Sequence, residues 1–340
     1  MRILFVAQKY DYGRPERGYG FEYYNFFESL VHMGHDVTYF DINAAPPGEQ
    51  LSERLLAQVK AVRPTLMFTC LFENELEPSV VRDITDAGDT VTFNWFCDDD
   101  WRFDSFSRLW APAFTFVSTT TAGALPKYRA AGIAGVLKTQ WGAAMHRYRP
   151  AGRSLQHGVT FVGQNYGDRA AVVEGLRRTG IPVQTWGTGW SVPRWQRTLL
   201  EKRGIRHLGG SAALRRRDAR TRCTQDEMIA IFEQSRISLN LSAASQGSQN
   251  QIKGRTFEIP ACRGLLVTGA AQGLEEYYEP GREVVVYESE AELPQLIEAL
   301  SHDDGRRNRI ADAGYRRTVA EHGYARRFTD LFAKMGLAGR

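Results

Sequence analysis

The sequence predicts an α/β protein of two domains, each an open parallel sheet covered by helices. Three observations carry that prediction. Strand-length apolar runs alternate with helical periodicity over residues 2–131. The alternation restarts at Val159 and continues toward the C-terminus. Between the two, residues 145–157 lapse into polar side chains, Pro150 and glycine, which reads as a linker. Strand–helix–strand order makes successive strands parallel and leaves both sheet faces to helices. A length of 340 residues suits two domains of ordinary size, and a 43% hydrophobic composition supplies two cores.

Residues 2–7 form the first strand; Gln8 and Lys9 break the apolar run too early for a secretory signal. A glycine-bearing loop ends at Gly20. Residues 21–33 have helical spacing, with Phe26, Phe27, Leu30 and Val31 on one stripe, and Gly34 ends them. Residues 36–40 are the next strand, and residues 51–62 a helix stopped by Pro64. Strands follow at 65–70, 90–96 and 113–118, with helices at 79–87 and 122–131. After the linker come strands at 159–162, 183–186, 237–241 and 265–268. Helices are expected at 168–178 and 226–234, in a short piece before Gly264, at 291–301, and from 304 to about 336. The expected division is 1–150, 151–320 and a C-terminal helix in 321–340.

Composition excludes several classes. No stretch of about 18 uncharged apolar residues exists, so no membrane-spanning helix is expected. Cys70, Cys97, Cys223 and Cys262 form no C-x-x-C pair and read as free thiols of a reducing cytoplasm. A net charge of +4 permits an anionic substrate or contact with a membrane surface and does not call for nucleic acid. Arg215, Arg216, Arg217, Arg220 and Arg222 form one local basic cluster: a solvated face, or a seat for a phosphorylated or lipid-linked acceptor.

The most informative segment runs Lys253-Gly254-Arg255-Thr256-Phe257-Glu258-Ile259-Pro260-Ala261-Cys262-Arg263-Gly264, then the apolar Leu265-Leu266-Val267-Thr268. It reads as a short helix, a glycine stop and a buried strand. Two cations at a helix start suit a phosphate or diphosphate. Glu258, one turn on, suits hydroxyls attached to that phosphate, or else pairs with Arg255 at spacing i, i+3. The loop Gly163-Gln164-Asn165-Tyr166-Gly167-Asp168-Arg169 follows a strand. Its glycines allow close backbone approach to an anion, and Arg169 offers a fork of donors. Trp186-Gly187-Thr188-Gly189-Trp190 suits a nucleobase, or else is a strand-end turn with packed tryptophans.

The 253–264 segment resembles the donor site of GT-B glycosyltransferases, above all the spore-maturation, CgeB-like type, which reads roughly K-x-R-x-F-E-x-x-A-C-G. The likeness continues through Glu275-Glu276-Tyr277-Tyr278-Glu279-Pro280-Gly281-Arg282-Glu283, Val284-Val285-Val286-Tyr287 and Ala311-Asp312-Ala313-Gly314-Tyr315-Arg316-Arg317. It is specific from about Phe161 to Phe332 and rests on layout before that. The resemblance implies two Rossmann-like domains whose parallel sheets face a cleft, the first for the acceptor and the second for the nucleotide-sugar donor. It implies that the final helix, with Phe328, Leu331 and Phe332, crosses back to the first domain, and that Glu258 binds the donor ribose. Many related retaining enzymes carry a second glutamate eight positions earlier; here that position is Asn250, which offers an amide and no charge.

In the first half, Asp98-Asp99-Asp100 follows an apolar strand. Adjacent acids repel one another, so something should offset them. They read as a general base for an acceptor hydroxyl, as a D-x-D metal site, or as an acidic helix cap paired with Arg102. The resemblance puts a flexible acceptor loop at Gly18-Tyr19-Gly20-Phe21-Glu22, so Gly18, Gly20 and Glu22 are candidate acceptor contacts. His35 reads as structural, and His146 as a residue near the linker.

The resulting expectation is transfer of a sugar from a nucleotide diphosphosugar to a hydroxyl-bearing small molecule or glycan. Lys253, Arg255, Arg169 and the helix start would stabilise the leaving diphosphate without a metal or other cofactor. Two further readings stay open at this point: a sugar-nucleotide 2-epimerase of the same fold, and a non-catalytic carbohydrate-binding or surface-assembly protein.

Overall fold

A computed structural model describes residues 1–44, 50–190, 222–246 and 249–339. Arg215, Arg216, Arg217 and Arg220 lie outside the described residues. The chain divides into two compact units: Met1–Arg147 with Glu321–Arg340, and Tyr148–Ala320. Among the described residues, no helix is long and apolar enough to cross a membrane.

The first unit holds a six-stranded sheet of β1 (Arg2–Ala7), β2 (Asp36–Asp41), β3 (Leu66–Thr69), β4 (Val91–Trp95), β5 (Phe116–Thr119) and β6 (Val136–Lys138). Its order is β2-β1-β3-β4-β5-β6, and every pair is parallel, with Ile3 beside Val37 and Leu66. The second unit holds β7 (His157–Val162), β8 (Val183–Trp186), β9 (Ser235–Asn240), β10 (Leu266–Gly269) and β11 (Val285–Tyr287). The order β11-β10-β9-β7-β8 is again all parallel. Both sheets are doubly wound. In each, the first strand sends its chain one way and the third strand sends it the other. The loops after β1 and β3, and those after β7 and β9, therefore part at a topological switch point, where open α/β sheets bind ligands.

Alternation along the strands sorts the cores. Leu4, Val6 and Met67 join one cluster with Leu55, Val81 and Phe103. Phe5 and Phe68 point the other way, their rings 5.4 Å apart. There they meet Phe26 and the C-terminal helix Tyr324–Lys334. Phe328 lies 5.7 Å from Phe26 and 5.5 Å from Phe68, and Tyr324 lies 5.0 Å from Phe26. The chain returns to this unit through a bridge: Ala143 donates to the His322 carbonyl at 2.9 Å, and Tyr324 donates to that of Ala143 at 3.0 Å. A Cβ on Gly142 would stand 2.7 Å from the His322 carbonyl oxygen, so only glycine lets the strands approach.

The structure adds strands β6 and β11 to the expected elements and differs from them in four further places, each with a local cause. The helix over 21–33 contains a π-helical turn, Tyr23–Phe27, before Glu28–His32; the extra residue shifts the apolar stripe. Asp99–Arg102, a second π turn at Phe103–Ser107 and Arg108–Trp110 form a helical stretch whose irregular period hid it. β5 starts at Phe116 because Pro112 holds Ala111–Ala113 in a 3₁₀ turn. The long C-terminal segment breaks at Gly323 into Asp304–Glu321 and Tyr324–Lys334.

Phe328 is fully buried under the first unit's sheet. Its replacement by alanine is expected to cost about 3–5 kcal/mol. The check is a urea titration followed by tryptophan fluorescence; an unchanged midpoint would mean that the C-terminal helix contributes little to this core.

Candidate active site

In the second unit the switch point is built around one tyrosine. Arg169 opens the helix Arg169–Arg178 and turns its guanidinium back under the sheet's edge. It donates to the Gln164 carbonyl at 2.8 Å, the Leu241 carbonyl at 2.8 Å and the Tyr166 hydroxyl at 2.6 Å. The guanidinium also lies 3.7 Å from the centre of the Tyr166 ring. From the other loop, the Lys253 ammonium donates to the same hydroxyl and, at 2.6 Å, to the Ala243 carbonyl. The Tyr166 hydroxyl donates in turn to Ala243 at 3.4 Å. The loops after β7 and β9 are thus joined through two cations on one phenol. Arg169 is only 5% exposed; burial lowers its pKa, with a smaller lowering from Arg255 nearby. Its observed hydrogen bonds hold the two loops together.

The 253–264 segment forms the helix Arg255–Ala261. Arg255 donates to the Val162 carbonyl at 3.2 Å and forms an ion pair with Glu258; its side chain remains 28% exposed. Glu258 is 0% exposed. One of its oxygens accepts from Arg255, and the other accepts from the Tyr148 hydroxyl at 2.7 Å. Gln225 donates to that hydroxyl. Glu258 therefore presents no surface to a ribose diol. Here the carboxylate holds Arg255 and Tyr148.

The glycines of the flanking loops serve close packing. Gly187 has φ +138°, and a Cβ on it would run into the Gly163 carbonyl. Gly189 has φ +88°, with the Asn165 carbonyl 3.1 Å from where its Cβ would be. Gly163 donates to the Trp186 carbonyl at 2.8 Å, and Trp190 spends its indole N–H on the Gly163 carbonyl at 2.7 Å. Gly163, Gly187 and Gly189 thus lock the β7 and β8 loops together. Asn250 donates to the Ala270 carbonyl at 2.8 Å and pairs across to Ala243, bracing its loop to the end of β10.

In the first unit the three aspartates part company. Asp99 is 1% exposed and accepts from the hydroxyls of Ser107 and Tyr128, the latter at 3.0 Å. Burial raises its pKa against the opposing pull of those hydrogen bonds and one from Thr119. It is a buried residue of this unit. Asp100 is half-buried on the same helical turn. Asp98 adopts φ 63°, a left-handed conformation that aspartate tolerates better than most side chains, and its side chain does not cap the helix. It lines a cavity of about 950 Å³ that also includes Gln8, Gly20, Glu22, Glu73 and Trp101. The cavity lies beside the loops after β1, β3 and β4, at this unit's switch point. Gly20 and Glu22 fall on its wall. Gly18, at φ +80°, instead shapes the turn that pairs Tyr10 with Tyr19. His35 packs on Phe332, and His146 stacks on His32 with Glu28 3.5 Å away. All four cysteines are free.

Sequence reading left out Tyr166, Tyr148 and Gln225. Tyr166 sat inside the quoted loop, but nothing in the sequence says that two cations converge on it. Tyr148 and Gln225 are far from Glu258 in sequence, so only the fold brings them to it.

A family model described as glycosyl transferase-like matches residues 169–333, a little under half of the chain. Three solved structures show the same fold over nearly the whole length. One is Anabaena Alr3699/HepE in complex with UDP, at 12% identity and TM-score 0.60, covering 99% of this chain and 100% of that one. Another is a sucrose-phosphate synthase from Thermosynechococcus elongatus, at 14% and 0.63, covering 98% and 97%. The third is AviGT4, a glycosyltransferase involved in avilamycin A biosynthesis, at 13% and 0.58, covering 98% of each chain. No curated protein sequence matches the chain. Fold and domain define the class: the architecture is GT-B, two Rossmann-like α/β units with the C-terminal helix returning to the first. The glycosyl transferase-like match falls mainly on the second unit.

Burial pushes the Glu22 carboxyl up from 4.5 to about 7, with Asp11 adding to the shift. A raised carboxyl favours the fold while protonated. Its contribution is complete below about pH 4.5 and is lost as pH rises through about 7, a change of about 3 kcal/mol. Glu22→Gln is therefore expected to gain stability relative to wild type between pH 4.5 and 8. Parallel denaturation curves across that range would contradict the buried carboxyl's ionisation cost.

Proposed function

We propose that this protein is a glycosyltransferase that moves a sugar from a nucleotide diphosphosugar to a hydroxyl acceptor, and that the donor diphosphate sits at the β7/β9 switch point against Lys253, Arg255 and the main chain of residues 163–168. The carrying observation is the convergence of Lys253 and Arg169 on Tyr166 at that point. It fixes cationic charge at the edge where a doubly wound sheet binds ligands. The Anabaena protein of the same fold has been solved with UDP, with UDP-glucose, and with UDP and glucose, which makes UDP the first nucleotide to try. The Lys253-x-Arg255-x-Phe257-Glu258 pattern supports the spore-maturation, CgeB-like subtype, and four free thiols fit a cytoplasmic enzyme.

In the transfer, the bond between the anomeric carbon and the diphosphate oxygen breaks as the acceptor oxygen bonds to that carbon. The departing oxygen gains negative charge. Lys253 and Arg255 are the groups assigned to meet it, already oriented and so needing little reorganisation. Arg169, Tyr166 and Glu258 are positioning residues: the first two hold Lys253 and the loops, and the third holds Arg255. With the charge supplied by side chains, no divalent ion is needed for leaving-group departure.

Calorimetric titration with UDP tests this placement. Lys253→Ala and Arg255→Ala are each expected to weaken binding by about 10- to 100-fold, the worth of one or more charge-assisted hydrogen bonds. Full UDP affinity in both variants would contradict the placement. Sugar transfer is expected to persist in excess chelator; loss of transfer with rescue by manganese or magnesium would contradict the metal-independent reading.

A further inference from the structure

The cavity of the first unit has a chemical character of its own. Tyr10, Phe72, Trp101 and Phe106 give it aromatic walls, and Arg102 is the one cationic side chain among its lining residues. That cation is already engaged. Arg102 donates to the Phe72 carbonyl, and its guanidinium lies 4.2 Å from the centre of the Phe106 ring. Some of the acids are engaged too. Glu75 accepts from the main-chain N–H groups of Phe72 at 2.9 Å and Glu73 at 2.7 Å, which shapes the loop after β3. Asp11 has Arg17 at 3.9 Å.

Glu22 is different. It is 9% exposed, it lines the cavity, and its own main chain lowers its pKa against the larger effect of burial. Gly20 lies against it: a Cβ on Gly20 would stand 3.2 Å from a Glu22 carboxylate oxygen. The titratable groups that act on Glu22 are Asp11 from the turn after β1, Tyr39 from β2, Cys70 after β3 and Cys97 after β4. Each of them is neutral or negative, and among the described residues no ion pair to Glu22 is present; Arg102, on the same cavity wall, is held by Phe72 and Phe106. Burial first, and Asp11 second, raise its carboxyl toward neutrality. A cation entering the cavity would supply a countercharge to the buried carboxylate.

We propose that this cavity takes the acceptor and that the acceptor is an amine-bearing ring, with Glu22 holding its ammonium group, Asp98 assisting, and the aromatic walls covering its faces. The assignment as acceptor rests on the reading of the chain as a sugar transferase; the preference for a cation rests on the first unit alone. Aromatic faces also attract ammonium groups directly, which favours the same ligand class.

The test uses the full chain at pH 7.5 and three probes of similar size: glucosamine, glucose and glucuronate. Binding is followed by calorimetry and tryptophan fluorescence in wild type, Glu22→Gln and Asp98→Asn. Glucosamine is expected to bind wild type about 10-fold more tightly than glucose, and glucuronate more weakly than either. Glu22→Gln, which keeps shape and removes charge, is expected to abolish that preference and leave glucose affinity unchanged. Asp98→Asn, equally tolerant of the left-handed backbone, is expected to reduce it by a smaller factor. The inference is overturned if wild type binds none of the three, if it binds glucose or glucuronate as well as glucosamine, or if Glu22→Gln keeps the preference. UDP titrated into the same samples separates the two readings. A preserved amine preference without UDP binding would overturn the donor placement alone; UDP binding without the preference would overturn this inference alone.

Discussion

The hydroxyl of Tyr166 carries more of the second unit's organisation than any other single atom. Arg169 reaches it from the helix after β7, and Lys253 reaches it from the segment after β9. Two cations within reach of one neutral oxygen repel each other. The buried Arg169 Nε has no hydrogen-bond partner among the described residues. The two cations are held together by the carbonyls of Gln164, Leu241 and Ala243, which accept further hydrogen bonds from them. The consequence is a positive edge where the sheet's chain direction reverses. Arg255 extends it, held by the buried Glu258. A leaving diphosphate needs this kind of preset charge.

The division of labour among the acids follows from burial. Glu258 and Asp99 look alike in the sequence as candidates for chemistry, yet both are enclosed and fully used by neighbours. Removing Glu258 would leave the Arg255 guanidinium without its countercharge, so that pair specifies the local structure first. Asp98 and Glu22 stand on a cavity wall instead. The left-handed turn at Asp98 is what separates it from Asp99: the chain reverses there, one acid faces the cavity and the next is carried into the core. Three neighbours in sequence therefore have three different surroundings.

Much of the fold was legible because its signals are local. Alternating strand and helix patterns, the polar stretch near Pro150 and the apolar stripe of Tyr324, Phe328 and Phe332 all depend on residues close together in the chain. What was not legible depends on distance in the chain. The π turn at Tyr23–Phe27 breaks helical periodicity, and β6 has only three residues, too few to show a pattern. At the site, the cations and glycines of 163–189 and 253–258 were visible as residue types. That Gly187 yields space to the Gly163 carbonyl, or that Tyr148 covers Glu258, follows from tertiary contacts that no spacing rule encodes.

The central claim is that the β7/β9 switch point is where the nucleotide diphosphate binds. Amide hydrogen exchange of the whole protein, with and without saturating UDP, tests it most directly. The account predicts that UDP slows exchange in residues 163–168 and 249–256 and leaves the loops of the first unit's cavity unchanged. Protection confined to the first unit, with residues 163–168 and 249–256 exchanging as before, would contradict it.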